Sequence, residues 1–190
     1  MKIIIYLFLF SVISLEAQVI KITTFDTIEW EHLPTNIENA TFCIIDGKTG
    51  QLVSLKSFKN GKKEGLFLYF DNFITLRKII KEENYKSNIL HGYYEDTKES
   101  GFYKKGKKNG LWKYYDDMGN NKEISYKNDK KNGQFLSKDG LLEVKGNYKN
   151  DLKTGVWITS TKQGIITNET VYKKGTIIKV LFPKENVILK

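Results

Sequence analysis

Apolar and aromatic residues occur along the chain in short segments separated by compact polar breaks, and this arrangement repeats. Residues 110–126 show one unit, in which two arms with aromatic and alternating positions flank the polar stretch 116–120. Residues 133–148 and 155–172 have the same arrangement. Alternation between turn signals is typical of β-hairpins. The sequence therefore predicts successive hairpins with a period of two strands.

A fixed spacing is shared by six segments of the chain. In each segment an aromatic residue is followed directly by Lys, and Gly, Asn or Asp stands three positions after the aromatic. The aromatic–lysine pairs are Phe58–Lys59, Tyr85–Lys86, Tyr103–Lys104, Tyr126–Lys127, Tyr148–Lys149 and Tyr172–Lys173. Because Gly, Asn and Asp enter the left-handed backbone region most readily, the third position predicts a tight turn. Five of the six units have a second glycine seven positions after the aromatic, namely Gly65, Gly92, Gly110, Gly133 and Gly155.

The regular spacing divides the chain into four parts. These are a signal peptide at residues 1–17, an N-terminal cap at 18–57, the hairpin repeats at 58–175 and a C-terminal cap at 176–190. The N-terminal cap lacks the spacing, although residues 41–57 predict one hairpin that leads into the first repeat. The C-terminal cap predicts one or two closing strands, because Pro183 prevents further pairing at a sheet edge.

The N-terminal segment has the pattern of an export signal. Lys2 is followed by an apolar run from Ile3 to Ile13 and later by Ala17, which matches a charged region, an apolar region and a small residue at a cleavage site. The run is shorter than the roughly 20 residues that a membrane-spanning helix needs. We therefore expect a periplasmic, cell-surface or secreted protein without a transmembrane segment in the mature chain, with an uncleaved anchor as the alternative.

The unit at 110–126 contains a characteristic set of glycines and aromatics, namely Gly110, Trp112, Tyr115, Gly119 and Tyr126. This set resembles the bacterial variant of the MORN repeat, whose units run Gly-x-Trp-x-x-Tyr, a glycine turn and then Tyr-x-x-Gly. The resemblance extends over about residues 56–178, with departures in single units. It implies an all-β fold: an open, elongated, single-layer antiparallel meander of successive β-hairpin repeats, used as a scaffold or binding surface. Some bacterial members are labelled antitoxin components, which implies a toxin partner as one alternative.

Aromatic residues stand two positions after the second glycine, at Phe67, Tyr94, Trp112, Phe135 and Trp157. Such a ring buries about 150–250 Å², which stabilises by roughly 4–6 kcal/mol at full burial and by about half of that in a one-layer sheet. We expect these rings to stack in a continuous row that replaces the second layer of most domains. Together with Tyr115 they are also the candidate aromatic binding residues.

The chain is basic, with 31 lysine and arginine residues, 22 acidic residues and a net charge of +9. The six lysines that follow the leading aromatics occupy equivalent positions, so we expect them to line up as a basic row. Two interpretations apply: solvated lysines that prevent edge-to-edge aggregation, or a row that binds anionic lipid, acidic glycan or an acidic protein. Nucleic acid is disfavoured, because Arg77 is the single arginine and export separates the chain from it.

The sequence lacks the residue patterns of an enzyme or a metal site. His32 and His91 have no Cys or carboxylate neighbours at ligand spacing, and no Gly-x-Ser-x-Gly or Ser-x-x-Lys motif is present. The adjacent Glu82 and Glu83 point to opposite faces of a strand, so they form no acid/base couple. Cys43 is the single cysteine, which predicts a small buried residue and excludes an intramolecular disulfide. We therefore predict no catalytic residue, cofactor or metal ion.

Three functions are compatible with these features. The first is a protein-interaction or structural scaffold, which the repeats, the export signal and the missing catalytic motifs favour. The second is a binder of anionic lipid or acidic glycan surfaces, which rests on the basic row and the charge excess. The third is an antitoxin-like component that binds a toxin, which rests on the resemblance alone.

Overall fold

The structure, a computed structural model, describes residues 5–7, 18–24, 39–46, 49–71 and 78–183, with side chains from residue 39 onwards. The chain divides into two compact units, Met1–Thr97 and Lys98–Lys190. Within the described ranges the regular elements are all β-strands. Most of the predicted signal peptide, and residues 184–190 of the predicted C-terminal cap, lie outside the described residues.

The first unit contains seven strands. They are β1 (Ile5–Leu7), β2 (Gln18–Thr24), β3 (Asn39–Asp46), β4 (Leu52–Lys59), β5 (Lys62–Phe70), β6 (Ile79–Lys86) and β7 (Ile89–Asp96). Consecutive strands are hydrogen-bonded neighbours, and β3 to β7 are antiparallel. The pair β3–β4 is the hairpin that residues 41–57 predicted.

The second unit contains eight strands, all antiparallel to their neighbours in chain order. They are β8 (Glu99–Lys104), β9 (Lys107–Tyr115), β10 (Asn121–Lys127), β11 (Lys130–Lys138), β12 (Leu142–Lys149), β13 (Leu152–Thr161), β14 (Ile166–Lys173) and β15 (Thr176–Phe182). The sheet remains open in both units. These observations confirm the predicted all-β fold of successive antiparallel hairpins.

One strand pair departs from the predicted antiparallel sheet. Strand β2 runs parallel to β3, with Gln18 opposite Ala40 and Thr24 opposite Asp46. A parallel pair requires a connection of about a dozen residues or more, and residues 25–38 provide that length. No pattern in the sequence predicted this pair, because the spacing of the repeats begins only after it. Strand β1 pairs antiparallel with β2 and lies inside the predicted signal peptide.

The six predicted tight turns are two-residue turns in which both central residues have positive φ. In the turn between β12 and β13, Asn150 has φ 50° and Asp151 has φ 68°. The other turns are Asn60–Gly61, Ser87–Asn88, Lys105–Gly106, Asn128–Asp129 and Lys174–Gly175. Positive φ at both positions defines the type I′ turn, whose twist matches that of the flanking strands. The turn prediction is therefore confirmed, and the preceding residue shares the left-handed conformation.

The second glycine of each unit lies at a β-bulge. In the hairpin of β10 and β11, Tyr126 is opposite Lys131 but Ile124 is opposite Phe135, so that three residues of β11 face one residue of β10. Gly133, in the middle of the three, has φ 112°. Register shifts of the same size include Gly65 and Gly92 as the middle residue of the three and Gly110 and Gly155 as the first, and all four glycines have positive φ. A bulge bends and twists its strand, so a bend recurs in these five repeats.

Four of the tight turns are bonded to the hairpin before them. The backbone N–H of the third-position residue donates to the carbonyl of a lysine that lies five positions after the preceding aromatic. The pairs are Asn88 to Lys63 at 2.9 Å, Asp129 to Lys108 at 3.0 Å, Asp151 to Lys131 at 2.9 Å and Gly175 to Lys153 at 2.9 Å. In the first three pairs the Asn or Asp side chain also accepts a bond from the N–H of the same lysine. We call this contact between turn and preceding hairpin the turn clamp.

In each unit the core lies on one face of the sheet. In the first unit its buried apolar residues are Ala40, Phe42, Ile44 and Phe67, and in the second they are Trp112, Ile124 and Trp157. The rings form the predicted row only in part: Phe135 packs directly on Trp157, but the row is interrupted between Trp112 and Phe135. The residues after the second glycine lie on every other strand, so the intervening strand inserts another residue, such as Ile124 between Trp112 and Phe135.

Two tryptophans lie flat against glycines of the neighbouring strand. A Cβ atom on Gly101 would come within 2.6 Å of Trp112 Cγ, and one on Gly146 would come within 2.7 Å of Trp157 Cγ. The indole N–H of Trp112 donates to the carbonyl of Phe102 at 3.2 Å, and the indole N–H of Trp157 donates to the carbonyl of Asn147 at 3.2 Å. The missing side chain of each glycine therefore makes room for an indole ring.

Candidate binding surfaces

The six lysines that the sequence singled out each end a strand, directly before a tight turn, and all six are exposed. They are Lys59 and Lys86 in the first unit, and Lys104, Lys127, Lys149 and Lys173 in the second. Neighbouring residues in a strand point to opposite faces, so each lysine lies on the face away from its leading aromatic. Among the described residues, none of the six forms an ion pair.

In the second unit these lysines lie on alternate strands. Since adjacent strands are about 4.7–4.9 Å apart, successive lysines are spaced by about 10 Å. Lys107 lies opposite Lys104, and Lys130 lies opposite Lys127, so both add charge to the same face. We call Lys104, Lys107, Lys127, Lys130, Lys149 and Lys173 the lysine row. The turn clamp holds its spacing, because it bonds successive turns to the hairpins that precede them.

The charge excess belongs to the second unit. Lys98–Lys190 contains 20 lysines and 10 acidic residues, whereas Met1–Thr97 contains 11 basic and 12 acidic residues. The net charges are therefore +10 and −1. The composition of the whole chain does not show this separation, because it sums the two units.

A shallow groove of about 400 Å³ lies on the outer face of the second unit, the face that carries the lysine row. Its apolar part includes Leu111, Leu136, Val156 and Ile158, and Lys145 lies among them, opposite Leu136 and Ile158. Leu111 and Val156 are 44% and 42% exposed. The groove and the lysine row therefore form one surface, with an apolar centre and basic residues at the turns. No pattern in the sequence identified the groove, because its residues come from five strands.

Most of the predicted aromatic binding residues lie in the core and not on the outer face that carries the groove. Phe67, Trp112 and Trp157 are only 1%, 0% and 5% exposed, so these rings pack the core and offer no contact surface in the described structure. Tyr94 and Phe135 are half-buried, and Phe135 packs on Trp157 with ring centroids 5.1 Å apart. Tyr115 is 44% exposed at the end of β9 and is the predicted ring most accessible to a partner.

A second set of lysines, which the sequence reasoning missed, lies over the aromatic rings. The ammonium group of Lys108 is 3.8 Å from the ring centroid of Trp112, and that of Lys153 is 4.2 Å from that of Trp157. Lys63 and Lys131 lie over Tyr85 and Tyr148 at 4.8 and 5.1 Å. These are the lysines of the turn clamp. The sequence pattern that could have identified them is a Lys five positions after the leading aromatic, which occurs in four of the six units.

Glu83 is a buried carboxylate in the first unit, 6% exposed. Tyr69 and Tyr85 each donate a hydroxyl hydrogen bond of 3.1 Å to its Oε2, and Lys81 Nζ lies 2.7 Å from its Oε1. Burial, and the negative charge of Glu83, raise the pKa of Tyr69. Because three partners satisfy the carboxylate, it ties strands β5 and β6 together. Glu82 bonds separately to Asn84, consistent with the expected opposite orientation of the two acids.

A similar polar cluster lies in the second unit. Lys108 Nζ is 2.7 Å from Glu99 Oε2 and 3.2 Å from the hydroxyl of Tyr114, which in turn lies 3.0 Å from the hydroxyl of Tyr126. Burial raises the pKa of Tyr126 and that of Tyr114. These hydroxyls therefore stay protonated, and the cluster binds strands β8, β9 and β10 together.

The described residues contain no group of three His, Cys, Asp or Glu side chains that is placed to hold a metal ion. Cys43 is half-buried, and burial raises the pKa of its thiol, so the reactive thiolate is disfavoured. His32 lies outside the described residues. No helix in the described part of the chain is long and apolar enough to cross a membrane.

In comparison with known proteins, no family model matches the chain, and no curated protein is significantly similar to it. The resemblance to the MORN-repeat variant stays a prediction that rests on the residues quoted above.

Proposed function

We propose that the protein is an exported, non-catalytic repeat protein of the MORN-variant type that acts as a protein-interaction scaffold. Its contact surface is the outer face of the second unit, and its partner is a protein with acidic groups around an apolar anchor. The observation that carries the proposal is the combination, on one face, of the apolar groove and the lysine row.

The architecture supports a rigid contact surface. In the second unit the turn clamps join successive hairpins by bonds of 2.8 to 3.0 Å, so the lysines keep a regular spacing. A preorganised surface loses less conformational freedom on binding than a mobile one. Apolar contacts at the centre and charges at the rim are the usual anatomy of a protein interface.

The experiment is affinity capture of the mature chain, residues 18–190, from its own cell envelope at low and high salt, with mass spectrometry of the retained molecules. Two variants probe the surface: a triple Lys127→Gln, Lys149→Gln, Lys173→Gln variant, and Leu136→Glu in the groove. The matched control replaces Lys122, Lys162 and Lys179, three exposed lysines outside the row, by Gln. We expect one protein partner that both variants lose and the control retains. Equal retention by all of them would refute the proposed surface.

A second candidate is a binder of anionic lipid or acidic glycan, which the net charge of +10 in the second unit favours. Binding to vesicles that contain anionic lipid would then fall steeply with added salt, since exposed charges are screened over about 10 Å at 0.1 M. The same lysine variant would abolish it, whereas Leu136→Glu would change it little. Vesicle binding that does not change with salt concentration would exclude this candidate.

A further inference from the structure

The first unit contains a cavity of about 140 Å³ on its aromatic face, formed by strands β3, β4 and β5. Its walls include the rings of Phe42, Phe58, Phe67 and Tyr69, and two lysines, Lys56 and Lys63, also line it. A cavity of about 150 Å³ with apolar walls holds a single benzene ring. The space therefore suits a molecule with one ring or a compact branched chain.

The two lysines make this apolar cavity cationic. Lys56 is half-buried and lies directly between Phe42 and Phe67 in the sheet register. Its Nζ is 5.5 Å from the ring centroid of Tyr69, while Lys63 Nζ is 5.6 Å from that of Phe67. Burial lowers the pKa of Lys56, the charge of Lys63 lowers it further, and the charge of Glu83 opposes both. The charged form of Lys56 is thus disfavoured by partial burial and by the neighbouring charge of Lys63.

The carboxylate whose charge acts on Lys56 is already engaged. Glu83 accepts from Tyr69 and Tyr85 and pairs with Lys81 at 2.7 Å. Among the described residues, neither Lys56 nor Lys63 has an ion-pair partner within 4.0 Å. A partly buried ammonium group without an ion-pair partner is unfavourable, and an anion placed between two such groups would offset that cost by charge-assisted hydrogen bonds.

We propose that the cavity binds a small monocarboxylate with a compact apolar body, such as an aryl carboxylate. The carboxylate lies between the ammonium groups of Lys56 and Lys63, and the ring packs against Phe42, Phe58 and Phe67. Inorganic anions match the charge but leave the aromatic walls unfilled, and neutral rings fill the walls but leave the ammonium groups unpaired. The chemistry therefore selects a ligand that has both parts.

The test is calorimetric titration of the mature chain with benzoate, benzamide and inorganic phosphate. We expect saturable binding of benzoate. Benzamide and phosphate should bind at least about tenfold more weakly, because a hydrogen bond to a charged group contributes about 1.5–3 kcal/mol. These comparisons use the unmodified protein, so they do not depend on the folding of a variant. Benzamide or phosphate binding as tightly as benzoate, or no saturable binding of benzoate, would overturn the proposal.

Variants then locate the site. Lys56→Gln and Lys63→Gln are each expected to weaken benzoate binding by about tenfold, whereas the neighbouring Lys62→Gln, an exposed lysine in the adjacent turn, leaves it unchanged. Circular dichroism of each variant checks the fold. Equal binding by all three variants would place the ligand elsewhere and refute the site. Since the cavity lies in the first unit, it is independent of the lysine row of the second.

Discussion

The contact between Trp112 and Gly101 gives the sharpest test of how the one-layer sheet is stabilised. In Gly101→Ala the new methyl group would lie 2.6 Å from the indole Cγ, whereas carbon atoms pack at about 3.5–4.0 Å. Gly101 does not require a positive φ, so the backbone tolerates alanine and the entire effect arises at the ring. The indole, which is 0% exposed, has to move by about 1 Å or more.

The cost follows from the contacts that this movement breaks. Overpacking a core by one methyl group typically costs about 1–3 kcal/mol. The indole hydrogen bond to Phe102, at 3.2 Å, and the edge contact with Tyr103, at 4.9 Å, would also be lost. The hydrogen bond contributes about 1 kcal/mol. We therefore expect the free energy of unfolding to fall by about 2–4 kcal/mol in Gly101→Ala.

The assay is urea unfolding of residues 18–190 followed by circular dichroism, carried out as a double-mutant cycle with Trp112→Leu. In the Trp112→Leu background the methyl group meets a smaller side chain, so Gly101→Ala should cost less than about 1 kcal/mol. Gly146→Ala against Trp157 repeats the experiment at the equivalent position. A cost below about 0.5 kcal/mol in the wild-type background, or the same cost in both backgrounds, would show that the indole contact does not limit the packing.

Three further predictions concern the polar contacts. Asp151→Ala should destabilise the chain by about 1–2 kcal/mol in urea unfolding, because it loses the side-chain clamp bond while φ stays positive, whereas Asp151→Asn should cost less than half as much, since Asn88 keeps the equivalent bond in the first unit; equal costs would contradict the clamp. The raised pKa values of Tyr69 and Tyr126 predict stability that is fully present below about pH 10, the pKa of unfolded tyrosine, and is lost as the pH rises above it; ionisation of every tyrosine near pH 10 in the folded protein, measured by tyrosinate absorbance, would refute this. Glu83→Gln should lower the free energy of unfolding by about 1–3 kcal/mol, and a neutral result in thermal unfolding would mean that the carboxylate is not needed between β5 and β6.

The local features of the fold were predictable because they depend on residues close in sequence. A two-residue turn needs left-handed residues at fixed positions, so the Asn, Asp and Gly residues of the tight turns carried the signal directly. The second glycine, such as Gly133, was visible as a repeated position, but its place in a β-bulge was not predicted. The strand order follows from these turns, because each one joins antiparallel neighbours.

Features that depend on register across strands were not predictable from spacing. The separation of Trp112 from Phe135 by Ile124 arises only when the strands are placed side by side. The repeated lysines were visible in the sequence, but their contact with an aromatic ring was not, because the ring belongs to the next hairpin, as Tyr85 does for Lys63. The parallel pairing of β2 has no local sequence signal at all.

The two ends of the hairpins, which we call the rims, differ in how well they tolerate inserted residues, because the turn clamp bonds only one of them. At the clamped rim every hairpin ends in a two-residue turn, so an inserted residue there would break the register of its neighbours. The opposite rim carries connections of unequal length, such as residues 71–78, 116–120 and 162–165. The rim with the unequal connections can therefore accept substitutions and inserted peptides, while the clamped rim keeps the register of successive hairpins.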